Sequence, residues 1–374
     1  MSDMFVNPYT FIGLGESKSR SSGNGKYTGV LSCTMMTLTP LIIPNAANEH
    51  AFSKREQRVV DRWNKKNSSS ALREESGIKS YDFYSYDNPE GDRENKKSSP
   101  VIPGSSIRGM IRSAYEALTD SCLSTIDLEN KMIDGRQVGD VIGHFAPCKD
   151  STQLCDACNL FGMVGENDKR KYKTDTGLKN KLNTVASRVM FRDATTSLDL
   201  RDWHEEPMIL AILEQPNPSQ AEAYYKGSVY PVNGIKGRKF YWHSDDPNIR
   251  KQNDPNNLNL TVIARAVKAG CMFTFDIAFE NLTDIELAKL IWIISIGGKT
   301  SSNEGSTHGF KLGRGKPISF GSVGISIDYD KSGVFVLDES LNIFCDSSML
   351  AKLPRGAEYL RPKATFVDRC KIQI

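Results

Sequence analysis

The chain has 374 residues, 39% of them hydrophobic and 25% charged, with a formal net charge of +3. That composition excludes wholesale disorder, and the length suits one core with large insertions or two domains. No apolar run approaches the roughly 20 residues that cross a bilayer, and residues 1–15 lack the pattern of a signal peptide. Cytoplasmic residence is therefore expected, and in that reducing compartment the eight cysteines read as buried thiols or metal ligands rather than disulfides.

Residues 16–26 form a Ser/Gly/Lys-rich stretch of flexible character. In GVLSCTMMTLT (29–39) apolar positions alternate as in a strand, closed by Pro40. Residues 45–99 are polar, with tyrosines at Tyr81, Tyr84 and Tyr86, and read as a long loop. Order returns with PVIPGSSIRGMIRSAYEAL (100–118). Ser105 and Ser106 are its candidate N-caps, and Ile107, Met110, Ile111, Ala114 and Leu118 recur at helical spacing. That spacing puts Arg108 and Arg112 one turn apart on one face. A cysteine-rich stretch, a basic loop (168–181) and a strand (SRVMFRDA) follow, then a second insertion over 202–268 rich in Pro, Asn, Tyr and basic residues. In the closing block CMFTFDIAFENL reads as a strand, TDIELAKLIWIISI as a helix capped by Thr283 or Asp284, and ISFGSVGISIDY as another strand. Strand–helix units at both ends predict an α+β fold with a split, ferredoxin-like (RRM-like) sheet.

The sharpest chemical signal is His144-x3-Cys148-x6-Cys155-x2-Cys158. Two thiolates at C-x2-C spacing chelate one ion from a tight turn, and a third cysteine with a histidine completes a tetrahedral shell suited to structural zinc. A C-x2-C pair alone also serves redox chemistry. Cys33, Cys122, Cys271, Cys345 and Cys370 are scattered and read as core thiols.

Anion-binding signals lie elsewhere. Residues 297–324 are glycine-rich, and Lys299, Lys311, Arg314 and Lys316 add charge where backbone amides approach a phosphate most readily. The spacing is not that of a P-loop. In GIKGRKFYWH (234–243), Arg238 and Lys239 stand beside Phe240, Tyr241 and Trp242, a mixture that suits single-stranded RNA or, equally, a strand with a core face. Ser106 with Arg108 and Arg112 offers a third phosphate site at a helix start.

Taken in order, FVNPYTFI, TPL, PVIPGSSIRGMIRSAYEAL, CDACNLFG, ASRVMFRDA, GRKFYWH, GCMFTFDIAFENL and KLGRGKPISFGSVGI resemble the RAMP proteins of class 1 CRISPR systems. The likeness is to backbone subunits of type III-D-like or the related type VII complexes. It implies a modified ferredoxin-like core split between 1–201 and 269–374, with a zinc-bearing lid (140–165) and a thumb within 202–268. It also implies several copies stacked along a crRNA, which they present to target RNA beside other effector subunits. Ser105, Ser106, Arg108 and Arg112 match the helix on the guide backbone; Gly313, Arg314, Gly315 and Lys316 match the glycine-rich loop; His144, Cys148, Cys155 and Cys158 match the zinc ligands.

Slicing members of that family place an aspartate at the exit of the first strand, whereas TPLIIPNAANEH offers Asn45 and Asn48. An amide neither accepts a proton nor neutralises a metal. The expected role is thus non-cleaving, with a separate nuclease subunit. One alternative is a Mg-dependent endoribonuclease using Asp82, Asp87 or Asp92. Another is a stand-alone zinc-containing RNA-binding module.

Overall fold

The computed structural model describes residues 8–14, 25–67, 77–87, 99–124, 132–133, 136–137, 142–149, 151–164, 184–197, 204–213, 236–244, 246–251, 257–296, 308–337, 343–345, 353, 356–360 and 363–373. The elements that position the site begin with strands β1 (Tyr9–Ile12) and β2 (Tyr27–Thr37), helix α1 (Ser53–Lys66), and strands β3 (Lys79–Tyr81) and β4 (Val101–Ile102). Helices α2 (Gly104–Leu118) and α3 (Asp156–Phe161) follow, then β5 (Val189–Phe191), β6 (Ala194–Thr195), β7 (Met208–Ile209), β8 (Arg238–Tyr241) and β9 (Val262–Ala264). Last come β10 (Met272–Leu282), α4 (Asp284–Ile294), β11 (Phe310–Lys311), β12 (Ser322–Leu337), β13 (Ile343–Cys345) and α5 (Lys363–Cys370).

The result is a mixed α+β fold around an antiparallel sheet ordered β11-β12-β2-β10-β6-β4, with β13 added to β12 and β5 to β10. Strand β2 is central. Leu31, Cys33 and Met35 point to the buried face and alternate with half-buried Ser32, Thr34 and Met36. Met35 faces Phe273 of β10 on one side and Ile325 of β12 on the other. Against this face pack Ile107, Ile111 and Ala114 of α2 with Leu287, Leu290 and Ile293 of α4. Among the described residues no helix is long and apolar enough to cross a membrane.

The two helices start differently. Thr283 caps α4 in a reciprocal box, its Oγ1 accepting from the Glu286 amide (3.1 Å) while the Glu286 carboxylate accepts from the Thr283 amide (3.0 Å). Helix α2 follows Pro103 with no cap from its own serines. Instead Asp193, from the turn between β5 and β6, accepts from the Gly104 amide at 2.7 Å, and Ser105 and Ser106 fall within the first turn. An aspartate brought in by the sheet thus replaces the two serines expected as caps.

Residues 45–67 and 77–87 correct the expectation of a loop. They contain α1 and β3, and β3 joins β7 and β9 in a smaller three-stranded sheet. Val59 and Val60 of α1 bury against Phe52, Ile78 and Ile263, with Trp63 packed alongside. Three apolar residues among so many charged ones suffice, because the helix has one covered stripe and an otherwise solvated surface.

Candidate nucleic-acid interface and metal centre

One cleft of about 410 Å³ lies where α2, β8, β11 and α5 meet. Ser105, Ser106 and Gly109 come to it from the exposed side of α2, Lys239 and Tyr241 from β8, and Lys311, Gly313 and Lys316 from β11 and the loop after it. No lining residue is acidic. Three segments that the sequence marked separately as anion-binding therefore share one wall-to-wall site.

The loop has its shape because glycine stands where side chains do not fit. Gly313 has φ +76°, and a Cβ there would lie 2.2 Å from the Ile42 carbonyl oxygen. Gly315 has φ +77°, with Phe320 filling the space a Cβ would need. Between them the Arg314 amide donates to Ile42 O at 2.9 Å, and its guanidinium lies 5.8 Å from the Tyr81 ring centre.

The cleft cations are held out of bulk water. Lys311 donates to Phe320 O at 2.9 Å; burial first, then the positive charges of Arg250 and Lys316, push its ammonium down to about 7. Burial also lowers Lys316. His243, with Nδ1 3.0 Å from Ser322 Oγ, is pushed down to about 3 by burial and then by Lys311, so it is neutral near pH 7. Lys239 sits 3.8 Å from the Tyr9 ring centre and 4.9 Å from that of Tyr241, because β1 and β8 pair Tyr9 directly opposite Tyr241. Like charges gathered without acids, and partly stripped of water, favour an anion that would neutralise them.

A candidate metal centre lies at the C-terminal end of α2. Cys122 after α2, Cys148, Cys155 at the start of α3 and Cys158 within it are all buried, with their sulfurs within 4.8 Å of one another. A tetrahedral ion with bonds of about 2.3 Å to sulfur needs sulfurs about 3.8 Å apart, and the Cys122–Cys158 separation is 3.4 Å. Four converging soft donors fit a metal ion such as zinc. Hydrogen bonds among the four thiols lower Cys148 and Cys155 and raise Cys122 and Cys158, so the cluster shares its protons.

His144 is not in this shell. It is exposed, in the short turn Gly143–Phe145, and Cys122 stands in its place. The overlooked signal was that four of the chain's eight cysteines fall between 122 and 158.

The three arginines make contacts within the chain. Arg112 donates to Glu116 Oε1 (2.8 Å), to Gly162 O (3.1 Å) and toward Cys158 Sγ (3.8 Å). Arg108 donates to Phe161 O and lies over that ring. Arg238 pairs with Glu116 Oε2 at 3.3 Å and donates to the carbonyls of Ser121 and Cys122. All three turn from the cleft toward the metal knuckle, where Glu116, 6% exposed, joins α2 to β8. Guanidinium forks match carbonyl and carboxylate oxygens as well as phosphate, so residue type alone did not reveal their direction.

The candidate slicing residues are scattered. Asp82 is 3% exposed, accepts from the Phe83 amide (2.8 Å) and faces Arg265 Nη1 at 3.6 Å, so it serves a buried ion pair away from solvent. Asp87 is exposed, outside the cleft lining. Asp92 and Lys299 lie outside the described residues.

The antiparallel α+β fold thus carries a lysine- and glycine-walled cleft and a four-cysteine cluster. The RAMP superfamily model matches residues 34–323, and the chain belongs to that superfamily. It is thereby a CRISPR-associated RNA-binding subunit, of a kind that generally binds crRNA. Comparison with curated proteins finds no match.

Proposed function

We propose that this chain is a guide-RNA-binding backbone subunit, several copies of which assemble along one crRNA and present it to target RNA while a separate nuclease subunit cuts. In this reading the sheet and its helices are a modified ferredoxin-like core, 140–165 a zinc-bearing lid, and 202–268 the thumb. The observation that carries it is the convergence of Ser105–Ser106, Lys239 and Gly313–Lys316 on one acid-free cleft. The lysines neutralise phosphates, the glycine loop lets backbone amides approach them, and Tyr241 adds an aromatic ring to the lining. Cys122, Cys148, Cys155 and Cys158 would hold zinc as a structural ion that fixes the end of α2. Copurified RNA with repeat-derived ends, in particles holding several copies of the chain, is the expected result of coexpression with an array and partner proteins. Monomers free of RNA under those conditions would count against the reading.

The cleft also makes a pH prediction. An RNA phosphate beside Lys311 favours the ammonium form, so binding above pH 7 takes up a proton. Affinity should fall as pH rises from 7 to about 9, approaching tenfold per pH unit for this one group. The free protein should show the opposite trend. A lysine lowered on folding leaves the unfolded chain holding the extra proton, so stability rises from pH 7 toward the ordinary lysine value of about 10.4. Lys311→Arg, charged throughout, should flatten the affinity profile. An unaltered slope in that variant would remove Lys311 from the RNA contact.

A further inference from the structure

Helix α1 carries six basic residues against two acidic ones. Its charge of +4 exceeds the +3 of the entire chain, so the rest of the molecule is close to neutral. Of its two acids, Asp61 is the exposed one. Glu56 is buried and turned to Ser80 and His50, and Asp61 is engaged by Gln57 at 2.9 Å. Lys54, Arg58 and Arg62 are exposed and follow one another at i, i+4 and i+8. They form a stripe with one cation about every 6 Å along the helix, continued at its end by Lys65 and Lys66.

The stripe is coupled to the cleft through short, ordered steps. The segment leading into α1 is bonded to β3, the Ala51 amide donating to Ser80 O (3.0 Å) and the Phe52 amide to Ser80 Oγ (2.8 Å). The next residue of β3, Tyr81, lies under Arg314, within the loop whose Gly313 and Lys316 line the cleft. The chemistry of the stripe also selects its partner. Every fully exposed residue of α1 is polar or charged, so the surface lacks the apolar and aromatic centre that a protein interface buries. Charge at regular intervals, without apolar contact, is what a phosphodiester backbone requires.

The geometry points to α1 as a second phosphate-binding surface, which takes up the RNA strand where it leaves the cleft. This inference rests on the cleft being an RNA site. It is tested on the full chain with two oligouridylates, of about four and about sixteen nucleotides, the range of compact single-strand sites. Binding is measured as a function of salt. Lys54→Gln, Arg58→Gln and Arg62→Gln are combined, glutamine being a comparable helix former. Each lost phosphate contact lowers the salt slope by about 0.7 on a single strand. The triple variant should therefore lose about 2 from the slope with the long RNA and bind the short RNA like the parent. A parental slope with the long RNA, or equal weakening of both RNAs, would overturn the α1 surface. Lys311→Ala with Lys316→Ala supplies the other arm, in which binding of both RNAs should collapse. Short-RNA binding that survives this change would refute the cleft itself.

Discussion

Replacing Cys122 by serine is expected to release the bound metal and unfold the knuckle, whereas His144→Ala should leave the metal content unchanged. The two variants separate a four-sulfur shell from a shell of three sulfurs and one imidazole. Structural zinc contributes an apparent 10–16 kcal/mol, roughly, to small domains near pH 7, and a whole domain is stable by only about 5–15 kcal/mol. Loss of one of four thiolates is therefore decisive locally. It frees the ends of α2 and α3 and the carbonyls of Ser121 and Cys122 to which Arg238 is anchored. Metal per chain, measured by elemental analysis on protein purified without added metal, is the readout. Full occupancy in Cys122→Ser, or loss in His144→Ala, would sink the four-cysteine assignment.

The second large effect is expected at Glu286. Its carboxylate accepts from Arg188 Nη2 (2.5 Å) and Nη1 (3.1 Å), from Asn159 Nδ2 (3.0 Å) and from the Thr283 amide (3.0 Å). Both ends of the ion pair are nearly inaccessible, at 10% and 4% side-chain exposure. Glu286→Ala leaves a buried guanidinium without its charge partner and also removes the capping box, so the cost should be about 3–5 kcal/mol. Chemical denaturation should show it as a lower midpoint at unchanged slope. Replacing Arg188 and Glu286 together by leucine and methionine should cost far less, since removing both charges also removes their desolvation penalty. A single-variant loss below about 1 kcal/mol would mean that the pair is better hydrated than its burial implies.

Much of this molecule can be read from its sequence, and the misses have physical causes. Strands β2 and β10 were legible because one face of each is the more buried, which imposes alternation along most of their length. Helix α4 was legible because Thr283 and Glu286 stand three apart before an apolar run. The cleft lysines were legible because they sit among glycines. Helix α1 was hidden, since Val59, Val60 and Trp63 are its only apolar residues among clusters of charge. The direction of Arg108, Arg112 and Arg238 was hidden for another reason. Their partners are main-chain carbonyls and Glu116, and no spacing rule reports where a carbonyl from a distant segment will lie. Cys122 was missed because the turn that returns Cys148, Cys155 and Cys158 to the end of α2 is a tertiary event.

The position of β2 has a consequence for how the chain comes into being. It is hydrogen-bonded on one side to residues 272–282 and on the other to 323–336, both far downstream in the chain. Neither neighbour exists when β2 leaves the ribosome. Contacts this distant in sequence slow folding, because a large loop must close before any pairing rewards it. Leu31, Cys33 and Met35 must wait, uncovered, until those downstream residues have been made, and both edges of their strand stay open to other chains. Nascent chains halted before residue 323 should therefore be held by chaperones or aggregate, and the native sheet should close in one late step.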